Sequence, residues 1–173
     1  MAEALFSTEN LMAVLQDFAK DVLAGYRETL ERNGHKATGN LIDRVETRIE
    51  ANGSHYIVWL DNLEDYWKYI EYGTKAHWPP KDAILNWIKV KRILPSPDEN
   101  GKIPTQESLA FLIQRSIAGK SPNQAHLRNP NGGTIGTQDF EKTRDVVIAY
   151  YTERLQEALH RDCLNYIEKV LPD

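Results

Sequence analysis

The chain has 173 residues, of which 41% are hydrophobic, and its formal net charge is −4. The length predicts one domain with a core of its own, and the small negative charge argues against a protein that binds DNA or membranes over its whole surface. One cysteine, an N-terminus without a secretory signal pattern, and no apolar run near the ~20 residues that span a bilayer argue against a disulfide-stapled secreted protein and against a membrane-spanning one.

An amphipathic helix is predicted at the start of the chain. Ser7 and Thr8 are residue types that cap helix N-termini, and Glu9 places an acid in the first turn. Apolar residues then recur at helical spacing along one stripe until Asn33-Gly34, a typical stop signal. We therefore expect a helix from about Glu9 to Arg32 that packs its apolar stripe into the core.

The spacing of apolar residues changes after residue 40. Between Leu41 and Glu50, apolar and polar residues alternate, which is typical of a strand with one solvated face. Asn52-Gly53 is a strong hairpin signal, and Ser54–Leu60 follows as the returning strand. Both faces of that second strand are apolar, so we expect it to lie inside a sheet or to meet a partner.

The middle of the chain is rich in aromatic residues over Tyr66–Pro80 (YWKYIEYGTKAHWPP), hereafter the aromatic segment. Leu63, Trp67 and Ile70 share one helical face. Three tyrosines lie around that face, namely Tyr66, Tyr69 and Tyr72. Their rings can pack against protein while their hydroxyls stay in water. Gly73 lets the backbone leave the helix, because glycine reaches positive φ without strain. The pattern predicts an element for packing and docking.

Two shorter helices are predicted after the aromatic segment. Pro80 suits the first turn of one helix, and Thr105 caps the other with Glu107 in its first turn. Three prolines mark Leu94–Pro104, between the two helices, as a surface loop.

The last part of the chain is predicted to be a loop followed by a long helix. Residues 119–138 are rich in Gly, Asn, Pro and Ser, and such a run inside a compact domain is often ordered by a partner. An apolar stripe then continues to Val170, and a helix of that span would be roughly 45 Å long. We expect an α+β core domain at residues 1–118, an extended loop at 119–138, and a C-terminal helix at 139–173 that packs on the core or on a neighbouring subunit.

The predicted fold class is therefore α+β. It consists of an N-terminal helix, a small antiparallel β-sheet built on a hairpin, short central helices and a long C-terminal helix. No residue is predicted to be catalytic or to bind a cofactor. No metal site is predicted either, because the five histidines do not lie at metal-ligand spacing. The four acids from Asp61 to Glu71 are interpreted as a solvated helix face on which Glu64 pairs with Lys68. The glycine-rich residues 131–134 lack the lysine of a phosphate loop.

Charge is distributed unevenly around the aromatic segment. Residues 61–71 carry four acids and one lysine, residues 75–92 carry five basic residues and one acid, and residues 108–138 carry three basic residues and no acid. This pattern fits ordinary surface mixing, a head-to-tail contact between identical subunits, or attraction to phosphates in a DNA channel. The candidate contacts to a partner or to channel DNA are Lys75, Lys81, Lys89, Lys91, Arg92, Arg115, Lys120 and Arg128.

The order of these motifs resembles the tail-completion or neck proteins of tailed bacteriophages, over roughly residues 9–120. The matching motifs are Thr38-Gly39-Asn40-Leu41, the tyrosine, glutamate and Gly-Thr pattern of Tyr66–Thr74, the proline pair, the Trp-Ile helix after it, and the later helix LAFLIQRSIAGK. Two features depart from the family: the 119–138 loop is longer and leads into the last helix with Gly-Thr-Gln-Asp-Phe, and that helix is also long.

The resemblance implies a virion structural protein of the neck or tail, made in the host cytoplasm, with no enzymatic activity and no cofactor. It implies a homo-oligomeric ring of six- or twelve-fold symmetry around the DNA channel. The implied partners are portal-side connector and tail proteins, with non-specific channel DNA and no membrane. In this interpretation the core and subunit contact are built by Tyr66, Trp67, Tyr69, Glu71, Tyr72, Gly73 and Thr74.

Two alternatives remain open. A tail terminator, or another ring component of the same particle, would share the same features of fold. An enzyme acting on nucleic acid or cell wall with Glu71 and His77 would need a nucleophile, a base and an orienting group, and the sequence displays no such set.

Overall fold

The computed structural model describes residues 7–35, 39–52, 55–97, 100–123, 125 and 127–171. Thr38 of the predicted strand entry and Gly53 of the predicted hairpin turn lie outside this part. Within it, the chain has six α-helices and four strands: α1 Glu9–Arg32, α2 Asn40–Arg44, β1 Glu46–Asn52, β2 His55–Asp61, α3 Trp67–Tyr72, β3 Gly73–Thr74, α4 Lys81–Val90, α5 Gln106–Ile117, β4 Thr134–Ile135 and α6 Asp139–Val170. The predicted α+β fold class is confirmed.

The described residues form two compact units. Unit 1 takes the described parts of Met1–Asn33, Leu41–Glu64 and Asp139–Asp173, and unit 2 takes those of Gly34–Asn40 and Asp65–Gln138. By sequence, unit 1 has 10 basic and 19 acidic residues, a net charge of −9, whereas unit 2 has 11 and 6, a net charge of +5. The three-part division expected from the sequence stays a prediction.

Unit 1 is built on the antiparallel packing of α1 against α6. The buried residues of α1 recur every three or four positions, as a core-facing stripe requires: Leu15, Ala19, Val22, Tyr26 and Leu30. Phe18 meets Tyr151 edge to face with ring centroids 5.7 Å apart, and Tyr26 meets Phe140 at 5.5 Å. The predicted helix Glu9–Arg32 is confirmed.

Thr8, at the N-cap of α1, makes no side-chain cap bond. A side chain of α6, Asp162, caps the start of α1 instead. The Thr8 hydroxyl accepts a hydrogen bond from the Tyr56 hydroxyl at 2.6 Å. The Asp162 carboxylate accepts from the backbone N–H groups of Asn10 and Leu11 at 3.1 and 2.9 Å, and from the Asn10 side-chain amide at 2.8 Å. Burial alone would raise the pKa of Asp162, but these three hydrogen bonds outweigh burial and hold the pKa below its ordinary value.

The predicted strand between Leu41 and Glu50 is partly wrong. Its first residues form the helical turn α2, and β1 begins only at Glu46. Leu41, Ile42 and Val45 are all buried, and burial at i, i+1 and i+4 fits one face of a helical turn better than the alternation of a strand.

The predicted hairpin is present as the antiparallel pair β1–β2, with Asn52 opposite His55. The residues between them, Gly53 and Ser54, lie outside the described part. In the described ranges β2 pairs only with β1, so the inner-strand interpretation of β2 is wrong.

Unit 2 holds α3, α4, α5 and the β3–β4 pair. α4 packs against α5, with Ile88 and Ala110 buried. Thr105 caps α5 as predicted, because its hydroxyl accepts the Ser108 N–H at 3.2 Å. Among the described helices of the chain, none is long and apolar enough to cross a membrane.

Candidate partner-binding groove

The aromatic segment folds as α3, β3 and the proline pair. Gly73 ends α3 with a φ of 76°, which confirms the predicted exit from the helix. Trp67 and Tyr72 meet edge to face with ring centroids 6.0 Å apart. The three tyrosines do not bury their rings within this chain, because Tyr66, Tyr69 and Tyr72 are 38%, 52% and 59% exposed.

The Gly73-Thr74 strand pairs with Thr134–Ile135, a strand within residues 119–138. The Thr74 hydroxyl accepts the backbone N–H of Thr134 at 3.1 Å. Further along, the N–H groups of Thr137 and Gln138 donate to the carbonyl oxygens of α3, Ile70 at 2.9 Å and Glu71 at 3.1 Å. Residues 134–138 are therefore hydrogen-bonded to both α3 and β3.

The paired segments approach so closely that only glycine fits between them. A Cβ at Gly73 would lie 2.2 Å from the Thr134 carbonyl oxygen, and a Cβ at Gly133 would lie 2.1 Å from that of Thr74. Both glycines also have positive φ, 76° and 78°, a region that other residues reach only with strain. The Gly-Thr pattern thus forms a backbone-to-backbone joint. The sequence held a signal for it, since a second Gly-Thr pair (133–134) supplies the partner strand.

The four acids from Asp61 to Glu71 do not form the predicted solvated face. Glu71 is fully buried, and Glu64 pairs with Arg44 at 3.1 Å rather than with Lys68. The Lys68 ammonium group lies over the Tyr69 ring, 5.3 Å from its centroid. The reason is that α3 begins at Trp67, so Glu64 and Lys68 are not one turn apart on a single helix.

An open groove of about 840 Å³ lies on unit 2 beside the β3–β4 pair. Its apolar walls include Tyr66, Tyr69 and Ile135. Lys75, His77 and His35 add basic groups. His77 Nδ1 lies 2.9 Å from the Lys75 carbonyl oxygen, which fixes the ring. Among the described residues, no carboxylate lines this groove.

A second aromatic contact lies elsewhere on unit 2. Trp78 stacks on Phe111 with ring centroids 6.3 Å apart, and both rings stay about half exposed. Lys81 and Leu112 line a smaller pocket with Phe111. Sequence reasoning missed Phe111, because nothing local connects it with Trp78, which lies 33 positions earlier.

The predicted basic contacts divide into two kinds. Arg115 Nε donates to the Lys120 carbonyl oxygen at 2.8 Å, and the Lys91 ammonium group donates to the Gly34 carbonyl oxygen, so these two side chains hold the backbone of unit 2. The others lie at the surface: Lys75, Lys81, Lys89, Arg92, Lys120 and Arg128.

The groove offers ring faces, aliphatic surface, one lysine and two histidines, which suit an apolar partner surface that carries acids. Glu71 and His77 do not share it, because His77 lines the groove and Glu71 is buried. In the described ranges, no group of three or more His, Cys, Asp and Glu side chains is placed to hold a metal ion. Comparison with models of protein families, with curated proteins and with solved structures found no match to this chain.

Proposed function

We propose that the chain is a structural subunit of the neck of a tailed bacteriophage. It would be a head–tail connector or tail-completion protein that forms a homo-oligomeric ring around the DNA channel. The order of the sequence motifs supports this proposal, and the observation that carries it is the exposed aromatic surface of unit 2. Tyr69, Tyr72 and Trp78 each keep about half of their surface exposed, and exposed aromatic rings are typical of surfaces that bind other proteins.

The opposite charges of the two units support assembly from identical copies. A net charge of +5 on unit 2 and −9 on unit 1 allows the basic surface of one copy to face the acidic surface of the next. A contact between two different surfaces of the same chain is heterologous, and heterologous contacts generate closed rings when the rotation closes.

The exposed basic side chains of unit 2 also support a contact with channel DNA. Lys89, Arg92, Lys120 and Arg128 lie at the surface and would attract phosphates without reading sequence. Such a contact should weaken steeply as salt rises.

Co-expression with the portal-side connector and tail proteins of the same phage tests the proposal. Native mass spectrometry and electron microscopy should reveal a closed ring that contains many copies of the chain. The double variant Tyr69→Ser/Tyr72→Ser should fold and fail to enter the ring, whereas the control Leu94→Ser, at an 81% exposed loop position, should enter it. A chain that stays strictly monomeric with all partners present would overturn the proposal. A ring that forms on the tail proteins alone, without the portal-side connector, would favour the tail-terminator alternative.

A further inference from the structure

We propose that the groove of unit 2 receives the solvent-facing side of α6 from a second copy of the chain. The inference rests on the proposed ring and names the two surfaces of its subunit contact. One surface is the groove lined by Tyr66, Tyr69, Ile135, Lys75 and His77.

The other surface is an exposed face of α6, whose end at Glu157 borders the start of α1 in a small pocket with Asn10 and Ala13. Val146, Tyr150, Glu153 and Glu157 follow one another at spacings of four, three and four residues, which places them on one side of the helix. Val146 and Tyr150 are 72% and 66% exposed, although they lie in a helix whose neighbouring side buries Tyr151. The face thus presents two apolar anchors followed by two acids.

The Tyr150 ring is held in position before any partner arrives. It meets the Tyr151 ring edge to face with centroids 5.2 Å apart, and the Arg154 guanidinium carbon lies 5.8 Å from its centroid. Because Tyr151 is buried and fixed by a 2.6 Å hydrogen bond to Asp21, the exposed ring rests on a rigid support. A preorganised aromatic anchor loses little conformational freedom on binding.

The two surfaces complement each other in shape, a groove against a helix, and in charge. A groove walled by rings and aliphatic side chains accepts an amphipathic helix through anchors spaced by one turn. The groove carries Lys75 and His77 and, among described residues, no carboxylate, whereas the helix face carries Glu153 and Glu157. The charges of the whole units, +5 and −9, would steer the same encounter. Since each copy carries a groove and such a face, the contact is head to tail, and it gives a ring when the rotation between copies closes.

Site-specific cross-linking tests the contact directly. On a Cys163→Ser background, one variant carries Ala76→Cys in the groove lining and another carries Ala149→Cys beside Tyr150; both alanines are exposed. A short bismaleimide should couple the mixed variants into a heterodimer, and a chain with both cysteines should give a ladder. The matched control Ala83→Cys, also exposed but on α4, should give no product with Ala149→Cys.

These outcomes distinguish failure of the proposed contact from failure of the proposed function. A ring that forms without the 76–149 product, or with equal product from the Ala83 control, overturns the contact and leaves the ring proposal standing. A groove that couples only to a tail or connector protein also overturns it, since the occupant is then not a second copy. No self-association, with or without those partners, overturns the contact too.

A charge exchange provides a second, independent readout. Lys75→Glu or Glu153→Lys alone should weaken self-association in sedimentation velocity about tenfold at low salt. The two changes together should restore it, because the pair is then reversed rather than broken. Lys89→Glu, at another exposed lysine of unit 2, is the matched control and should leave association unchanged. Failure of the double variant to recover would contradict the proposed pairing.

Discussion

The two units of this chain are stabilised by different means. Unit 1 holds ten of the thirteen buried hydrophobic residues identified among the described residues, whereas unit 2 holds three, Ile88, Ala110 and Ala118. Unit 1 relies on side chains interlocked between two long helices. Unit 2 relies on backbone joints at glycines and leaves most of its rings exposed.

This difference suggests a division of labour. A helix pair gains stability by burying its apolar stripes against each other. A unit with few buried apolar groups and many exposed rings gains more stability by burying those rings against a partner. The acidic charge of unit 1 and the basic charge of unit 2 fit the same division. Substitutions that act on one unit and spare the other should therefore separate folding from assembly.

The largest effect is expected at the glycine joint of unit 2. Gly133→Ala forces a Cβ to within 2.1 Å of the Thr74 carbonyl oxygen at a φ of 78°, and the combined clash and strain should cost about 3–5 kcal/mol of unfolding free energy. Gly34→Ala is the control, because its φ is also positive but its Cβ would meet no described atom within 4 Å; it should cost only about 1 kcal/mol. Denaturant unfolding with hydrogen exchange would measure both. Equal costs would show that the close approach does not matter.

The next effect is expected at the cross-helix cap of unit 1. Asp162→Ala removes the acceptor of three hydrogen bonds at the start of α1 and should cost about 2–3 kcal/mol of unfolding free energy. Asp145→Ala, on the exposed side of α6, should cost less than about 0.5 kcal/mol.

The same cap makes unit 1 sensitive to acid. Because the folded-state pKa of Asp162 is lowered, its stabilisation is complete above the unfolded pKa of about 3.9 and is lost as the pH falls through the folded value. Asp162→Asn should flatten this pH dependence in thermal melts. An unchanged slope would assign the acid sensitivity to other carboxylates.

A smaller effect is expected at Tyr151. Its hydroxyl donates to Asp21 at 2.6 Å, so Tyr151→Phe should cost about 1 kcal/mol of unfolding free energy. Burial, and then the Asp21 hydrogen bond and charge, raise the pKa of Tyr151. The unfolded tyrosine therefore ionises first, and stability is lost as the pH rises above about 10. The Phe variant should lack this alkaline loss, and Tyr150→Phe, with an exposed ring, should behave as wild type.

The smallest effect on stability is expected at an exposed ring of the aromatic segment. Tyr72→Ser removes a ring that is 59% exposed and should change the unfolding free energy by less than about 1 kcal/mol. The same change should weaken incorporation into the particle, which gel filtration of co-expressed components would measure. A variant that unfolds would instead assign Tyr72 to the core of unit 2.

The features that the sequence predicted correctly are long periodic or local ones. The stripe from Leu15 to Leu30, the Thr105 cap and the helix exit at Gly73 each follow from residues a few positions apart. The burial of Glu71 was missed because the helix was assumed to start before Glu64, while the structure starts it at Trp67.

The features that were missed depend on residues far apart in the chain. Asp162 caps α1 across 152 positions, and Thr74 meets Thr134 across 60. Strands of two residues, such as β3 and β4, are too short to show a periodic pattern. The groove is lined by both strands of the β3–β4 pair, which lie about 60 positions apart in the chain. The sequence therefore predicted the tyrosines of the groove but not its shape.

Hydroxyl-radical footprinting of the free chain and of the assembled particle tests most directly whether the aromatic surface of unit 2 serves protein contact. Tyr69 and Tyr72 should be modified readily in the free chain and several-fold more slowly in the particle, while the exposed side chain of Leu94 should react equally in both. Equal modification of the two tyrosines in free and assembled protein would contradict the account.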